Sequence, residues 1–249
     1  MTQDLFRQDA YLRECRATVL AIGQQGIVLD RTVFYPLGGG QAGDSGWLVL
    51  ADGSEVAIAD TRKGKDAEGR VTDDICHLPE AGAQGVTGLQ PGDQVTARVD
   101  WDRRHRLMRF HTTTHLLCHL VPQLVNGCSI TSDYARLDFN MTDPLDKDQL
   151  TAGIARLVAA GHPITVASIS DEELDANPAL VKSMSVQPPR GTGRIRTIRI
   201  GDQDLIDYQP CGGTHVANTA EIGQVVVTKI EKKSASTRRV VLGFAPAGT

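Results

Sequence analysis

Four histidines fall between residues 105 and 119, and two of them, His111 and His115, bracket three threonines. On a helix, side chains four apart project from one face about a turn apart, a spacing at which two imidazoles can share one metal ion. His115 and His119 have the same spacing, with Cys118 beside them, so spacing alone leaves both pairs open. An HxxxH by itself also describes histidines that merely pack or face water. It is not a zincin motif, because that chemistry needs Glu after the first histidine and Thr112 stands there.

Far downstream, Pro210 leads into Cys211-Gly212-Gly213-Thr214-His215. A thiol and an imidazole four apart across two glycines can converge, because glycine lets the backbone fold tightly. HxxxH and CxxxH together offer one sulfur and three nitrogens, a donor set suited to Zn²⁺. Cys211 alone could be a small buried apolar residue; all four residues together are harder to read that way.

A third feature is the glycine-rich run of residues 30–46, which includes Thr32 and Gly38-Gly39-Gly40-Gln41. Gly38, Gly40 and Gly43 formally satisfy GxGxxG, but a turn and an apolar strand pattern follow where a dinucleotide site needs a helix. No Lys-Ser or Lys-Thr follows, so it is not a phosphate-binding P-loop. It reads as a tight turn or as a loop whose backbone can approach a ligand closely.

The elements that must position these residues fall into two groups. Residues 17–22, 26–30, 47–50 and 56–59 are β-rich and separated by turn clusters, which predicts a small β-barrel or sandwich. Residues 78–92, with four glycines and two prolines, read as a connection, placing a boundary near residue 95. Beyond a strand over 94–101, residues 102–120 read as a helix with Asp102 as its N-cap, and a second helix opens at Asp143-Pro144 and runs to Ala160. Strands are expected at 129–132, 135–139, 164–169, 194–200, 205–208, 223–230 and 239–244. The predicted fold class is α+β: a β-barrel domain with the glycine-rich loop at 1–95, then an α+β domain at 96–249.

The 249 residues are 41% apolar, 22% charged and 4% aromatic, a globular composition that excludes disorder and coiled coil. No apolar run approaches the ~20 residues of a membrane span, and the first sixteen residues have no secretory apolar core. Five cysteines form no CxxC and leave one over, which argues for a reducing compartment, so a cytoplasmic location is expected. Net charge is −4, but unevenly spread: residues 1–95 hold 14 acids against 8 bases, and residues 96–249 hold 16 against 18. Residues 176–201 contain Lys182, Arg190, Arg194, Arg196 and Arg199 and no acid. That stretch is either a solvated face or a phosphate-tracking surface.

The HTTTH at 111–115, the CGGTH at 211–215 and the loop at 30–46 together resemble the editing domain of alanyl-tRNA synthetases, and its free-standing form, the AlaX family. The likeness covers nearly the whole chain. It includes Asp102-Arg103-Arg104 before the first half-site, Arg136-Leu137-Asp138-Phe139, and Glu221-Ile222-Gly223 after the second. The glycine-rich loop with its β-domain is similar to the longer AlaX class, and the second domain to the second additional domain of threonyl- and alanyl-tRNA synthetases. The synthetases commonly carry a glutamine some way past HxxxH, where this chain reads Val125-Asn126-Gly127-Cys128-Ser129; Thr114, before the second histidine, fits their pattern.

The resemblance implies one zinc ion per chain on His111, His115, Cys211 and His215, which decides against His119. It implies a deacylase, a carboxylic ester hydrolase that removes serine, and also glycine, from mischarged tRNA(Ala), with no ATP requirement and no membrane partner. Substrate contacts are expected from Thr32, Gly38, Gly39, Gly40, Gln41 and Thr114, the threonine hydroxyls reading the serine hydroxyl. tRNA contacts are expected from Arg103, Arg104, Arg190, Arg194, Lys232 and Lys233. No side-chain base is assigned; the attacking water would be activated by zinc, or zinc would polarise the carbonyl. Four protein ligands are more usual in structural zinc sites, so the alternative is a non-catalytic, zinc-stabilised RNA-binding module.

Overall fold

The computed structural model describes residues 1–83, 85–188, 191 and 193–246. The fold is mixed α+β and dominated by sheet. Contacts divide the chain into two compact units, one of Met1–Gly38 and Ala42–His105, the other of Gly39–Gln41 and Arg106–Thr249.

In the first unit, β1 (Gln3–Asp4) pairs in parallel with β4 (Arg31–Thr32). The other strands are β2 (Glu14–Gly23), β3 (Gly26–Leu29), β5 (Gly46–Val49), β6 (Glu55–Lys65), β7 (Val71–Pro79) and β8 (Gln94–Val99). These six close in the order β2-β3-β7-β6-β5-β8 as an antiparallel barrel. Closure follows from period-two burial: Ile27 and Leu29 on β3, Leu48 on β5, and Val95, Ala97 and Val99 on β8 all point into one core. The stretch 78–92 is more than a connection, since β7 runs through Pro79 and Leu89 is buried in the barrel core.

Helix α1 (Trp101–Leu120) starts one residue earlier than the sequence suggests. Its first turn is held by Asp100, whose carboxylate accepts the Arg103 amide at 3.1 Å and whose carbonyl accepts the Arg104 amide at 2.9 Å. Asp102 is instead the acid of the first turn, favourably placed toward the positive end of the helix. The division between units falls inside this helix, past the composition change near residue 95. The reason is packing: Trp101 lies against the barrel core, and the fully buried Arg104 ion-pairs with Asp44 and donates to the carbonyls of Ala10 at 3.0 Å and Val33 at 2.6 Å.

The second unit contains two antiparallel sheets. β9 (Val125–Ile130), β10 (Ala135–Asn140), β14 (Val225–Ser234) and β15 (Thr237–Phe244) form one in the order β14-β15-β10-β9. β11 (Ile164–Ile169), β12 (Ile195–Ile200) and β13 (Asp207–Pro210) form the other in chain order. Helix α2 (Lys147–Ala159) packs on β14 and is capped by Asp146, whose side chain accepts the amides of Asp148 and Gln149. The helix thus starts at Lys147, four residues past the expected opening at Asp143-Pro144. A short helix α3 (Asp171–Ala176), unforeseen in the sequence reading, has a capping box between Ser170 and Glu173. Among the described residues no helix is long and apolar enough to cross a membrane.

Candidate metal centre

His111 and His115 lie on consecutive turns of α1, so their rings face the same way, with centroids 5.4 Å apart. Past the end of β13, the Cys211 amide continues the ladder by donating to the Arg196 carbonyl on β12 at 3.1 Å. Arg196 returns its guanidinium to the carbonyls of Cys211 at 2.6 Å and Gly213 at 3.0 Å, clamping the turn that carries His215 inward. A Cβ at Gly213 would meet His111 Cε1 at 2.1 Å and Nδ1 at 2.4 Å. The glycine is needed for close approach; its φ is not in the left-handed region.

The donor atoms of His111, His115, Cys211 and His215 lie within 4.8 Å of one another, one such group among the described residues. His119 is exposed and outside it, which resolves the ambiguity that spacing leaves. Cys211 Sγ stands 3.4 Å from His111 Nε2 and 3.3 Å from His215 Nε2. Zinc bonds of about 2.3 Å to sulfur and about 2.0–2.1 Å to nitrogen at tetrahedral angles place those atoms about 3.5 Å apart.

The outer nitrogen of each ring faces an acceptor. His111 Nδ1–H donates to Gln41 Oε1 at 2.7 Å, His115 Nδ1–H to Asp207 Oδ2 at 2.7 Å, and His215 Nδ1–H to the Thr112 hydroxyl at 3.2 Å. Thr112 spends its own proton on the Met108 carbonyl at 3.0 Å, so its oxygen is free to accept. These bonds place the protons on the outer nitrogens and leave the Nε2 lone pairs facing the thiol, the arrangement a divalent ion requires.

Electrostatics favour an ionised Cys211 and a neutral His215, whereas His115 holds an extra proton that a metal ion would have to displace. Burial opposes ionisation of Cys211, but the imidazoles of His111 and His215 outweigh it and hold the thiol well below its usual range. Burial, assisted by His111, pushes His215 down to about 3. Burial opposes protonation of His115 too, yet Asp207 and Cys211 raise it to about 9. Burial likewise opposes the Asp207 carboxylate, and His115 and Lys182 hold it at about 2. By contrast Cys118 and Cys128 are driven up to about 12, chiefly by burial. All five cysteines are free, and Cys211 is the one whose thiol is pushed down rather than up.

The remaining candidates separate. Gln41 is fully buried: Oε1 also accepts the Thr214 amide at 3.1 Å and Nε2 donates to Thr214 Oγ1 at 2.9 Å, so this amide orients the cluster. Gly39 and Gly40 run beside β9, where the Ile130 amide donates to the Gly40 carbonyl at 2.7 Å. Gly40 has a left-handed φ of 87°, and a Cβ there would come within 3.0 Å of Cys128. Gly38 is half-buried in the first unit. Thr114 is buried and donates to the His111 carbonyl at 2.7 Å. The expected role of Thr32 is corrected: its hydroxyl is fully buried, 2.8 Å from His77 Nε2, and accepts the Phe34 amide at 3.1 Å.

Among the basic residues, Arg104 is also a correction, since a guanidinium buried on Asp44 has no face for phosphate. Arg103 is half-buried and donates to the Gly43 carbonyl at 2.7 Å. Arg194 is exposed with Nε 2.6 Å from Ser168 Oγ, and Lys232 and Lys233 are exposed on β14. Arg190 lies outside the described residues. Asp207 and Gln209 carry no motif in the sequence and were missed, whereas Lys182, one of the basic residues of 176–201, turns inward to ion-pair with Asp207. The available signal was the two-residue alternation of Asp207 and Gln209 along β13, continued by Cys211 just past its end.

Comparison with known proteins places this geometry. Residues 195–241 match the family described as the threonyl and alanyl tRNA synthetase second additional domain, and residues 8–103 match class II (A) tRNA synthetases. The chain is 31% identical to the alanyl-tRNA editing protein AlaX-M of Saccharolobus solfataricus, over 99% of this chain and 100% of that one. It is 35% identical to the AlaX-M protein of Methanosarcina barkeri, over 96% of this chain and 98% of its relative. The alanine–tRNA ligase of Metallosphaera sedula is 35% identical over 93% of this chain but only 25% of the ligase. With both half-sites converged and such relatives matched end to end, the chain belongs to the AlaX-M family of alanyl-tRNA editing proteins.

Proposed function

We propose that this chain is a trans-editing hydrolase that cleaves the aminoacyl ester of tRNA(Ala) mischarged with serine, and also with glycine, releasing the free amino acid and uncharged tRNA. The observation that carries this reading is the convergence of His111, His115, Cys211 and His215, with all three imidazoles presenting Nε2 inward. One Zn²⁺ per chain suits this donor set, and when bound it supplies Lewis-acid polarisation of the ester carbonyl.

The chain's own residues do the positioning. Gln41, Asp207 and Thr112 hold the ring protons outward, and Arg196 fixes the turn that bears Cys211. Thr114, its proton committed to the His111 carbonyl, keeps an oxygen that can accept the hydroxyl proton of a seryl group. A site that pairs that hydroxyl disfavours the alanyl ester, which would leave the threonine oxygen desolvated and unpaired. The bonds between Gln41 and His111 and between Gln41 and Thr214 support catalysis over a purely structural zinc, since the glycine-rich loop reaches the cluster. Arg194, Lys232 and Lys233 are the exposed cations for the tRNA phosphates. A reducing, cytoplasmic setting suits a centre built on a thiolate.

The test follows release of labelled amino acid from seryl-, glycyl- and alanyl-tRNA(Ala). Release from the first two with alanyl-tRNA(Ala) largely spared is expected. Equal rates on serine and alanine would refute selective editing, and no release from any would favour the RNA-binding module.

A further inference from the structure

The three imidazoles are not anchored alike. His111 rests on a neutral amide and His215 on a hydroxyl, whereas His115 rests on a carboxylate, Asp207, at 2.7 Å. That carboxylate is 1% exposed, and an isolated buried charge is expensive unless paired and hydrogen-bonded. Its two oxygens divide the work. Oδ1 takes the Lys182 ammonium, and Oδ2 takes both the His115 ring proton and the Gln209 amide, the latter at 2.8 Å. Lys182 is itself held in place: its carbonyl accepts the Val125 amide at 2.8 Å, tying that segment to β9.

A pairing that served folding alone would be complete with Lys182 and Asp207. The second oxygen is instead aimed at a ring whose other nitrogen faces the cluster, and the alternation of Asp207 and Gln209 along β13, continued just past its end by Cys211, places the anchor on the same face as the sulfur. We infer that Asp207, pinned by Lys182 and Gln209, is a positioning residue that makes His115 the most firmly held nitrogen donor of the centre. Hydrogen bonds to an ionised acceptor are roughly twice as strong as neutral ones, and a carboxylate on the outer nitrogen raises the basicity of the inner one. The inference rests on the metal reading of the cluster.

The test uses the full chain stripped of metal and titrated with Zn²⁺ against a chromophoric chelator, with Co²⁺ loading as a spectroscopic probe of the ligand field. Asp207→Asn keeps shape and removes charge. It should weaken Zn²⁺ binding by about 10–100-fold and shift the Co²⁺ bands, with a smaller loss for Gln41→Met. The stripped Asp207→Asn protein loses the buried pairing with Lys182 and should melt below the stripped wild type, yet stay folded at the temperature of the titration, so that the affinity is read on folded protein. If Asp207→Asn does not fold, Lys182→Met, which unpins the carboxylate from the solvent side, should show a weaker loss of the same kind. Zn²⁺ affinity within about twofold of wild type and an unchanged Co²⁺ spectrum in the folded variant would overturn the inference. Wild-type protein that takes up no metal would instead overturn the metal reading itself.

Discussion

Replacing Gly213 by alanine adds one methyl group, and the structure says where it goes. It would sit 2.1 Å from His111 Cε1, 2.4 Å from Nδ1 and 2.9 Å from Gln41 Oε1. Non-bonded carbons settle at about 3.5–4.0 Å, so the ring must retreat by more than about 1 Å. Metal–ligand distances tolerate only about 0.2 Å, so the retreat removes His111 from coordination. Structural zinc sites bind with about 10–16 kcal/mol, and an even share among four ligands is about 2.5–4 kcal/mol for one. That corresponds to roughly two to three decades of affinity. The Gln41–His111 hydrogen bond is lost as well, which adds about 1 kcal/mol. Elemental analysis after dialysis against a weak chelator should find about one zinc per chain in the wild type and little in Gly213→Ala, with the fold preserved by circular dichroism. Because Gly213 does not have a left-handed φ, no backbone strain accompanies the change, and the result isolates steric displacement. A variant that binds zinc within about tenfold of wild type would refute the reasoning, because the turn would then have absorbed the methyl group.

Thr32→Val removes the hydroxyl that serves both His77 and the Phe34 amide. It should lower unfolding free energy by about 1–3 kcal/mol in urea titrations, with little change in serine selectivity per folded molecule. Burial lowers His77 from 6.5 to about 4, against a smaller upward effect of the Ile27 carbonyl. The unfolded chain therefore takes up a proton first as pH falls, and this stability is present above about pH 6.5 and lost toward pH 4. The loss reaches up to about 3 kcal/mol and is read as a urea midpoint that falls less steeply in His77→Gln. Arg104→Met leaves Asp44 buried and unpaired and should cost about 3–5 kcal/mol, leaving tRNA affinity per folded molecule unchanged. Lys233→Ala should do the reverse, weakening binding to uncharged tRNA and reducing the slope of log affinity against log salt by about one.

The metal half-sites were legible in the sequence because each is local. Four residues on a helix make one turn, and four residues across Gly212 and Gly213 make one tight bend, so residue type and spacing suffice to nominate Cys211 and His215 with either His111–His115 or His115–His119, and the family resemblance favoured the first pair. The choice against His119 was not local. It depends on which face of α1 turns toward Cys211, just past the end of β13, and that is set by the tertiary burial of α1, where Leu116 and Leu117 are fully buried and His119 is exposed. The anchors were less visible still: Asp207 is 92 residues from His115, and Gln41 is 70 from His111. A carboxylate or amide in a sequence carries no mark of the imidazole it will face. The basic residues show the same limit, since Arg103 and Arg104 look like any exposed pair until the fold buries one on Asp44 and turns the other to the Gly43 carbonyl. Local geometry is written in residue type and spacing. Which hydrogen-bond partner a buried polar group finds depends on contacts between distant segments, and only the tertiary structure decides it.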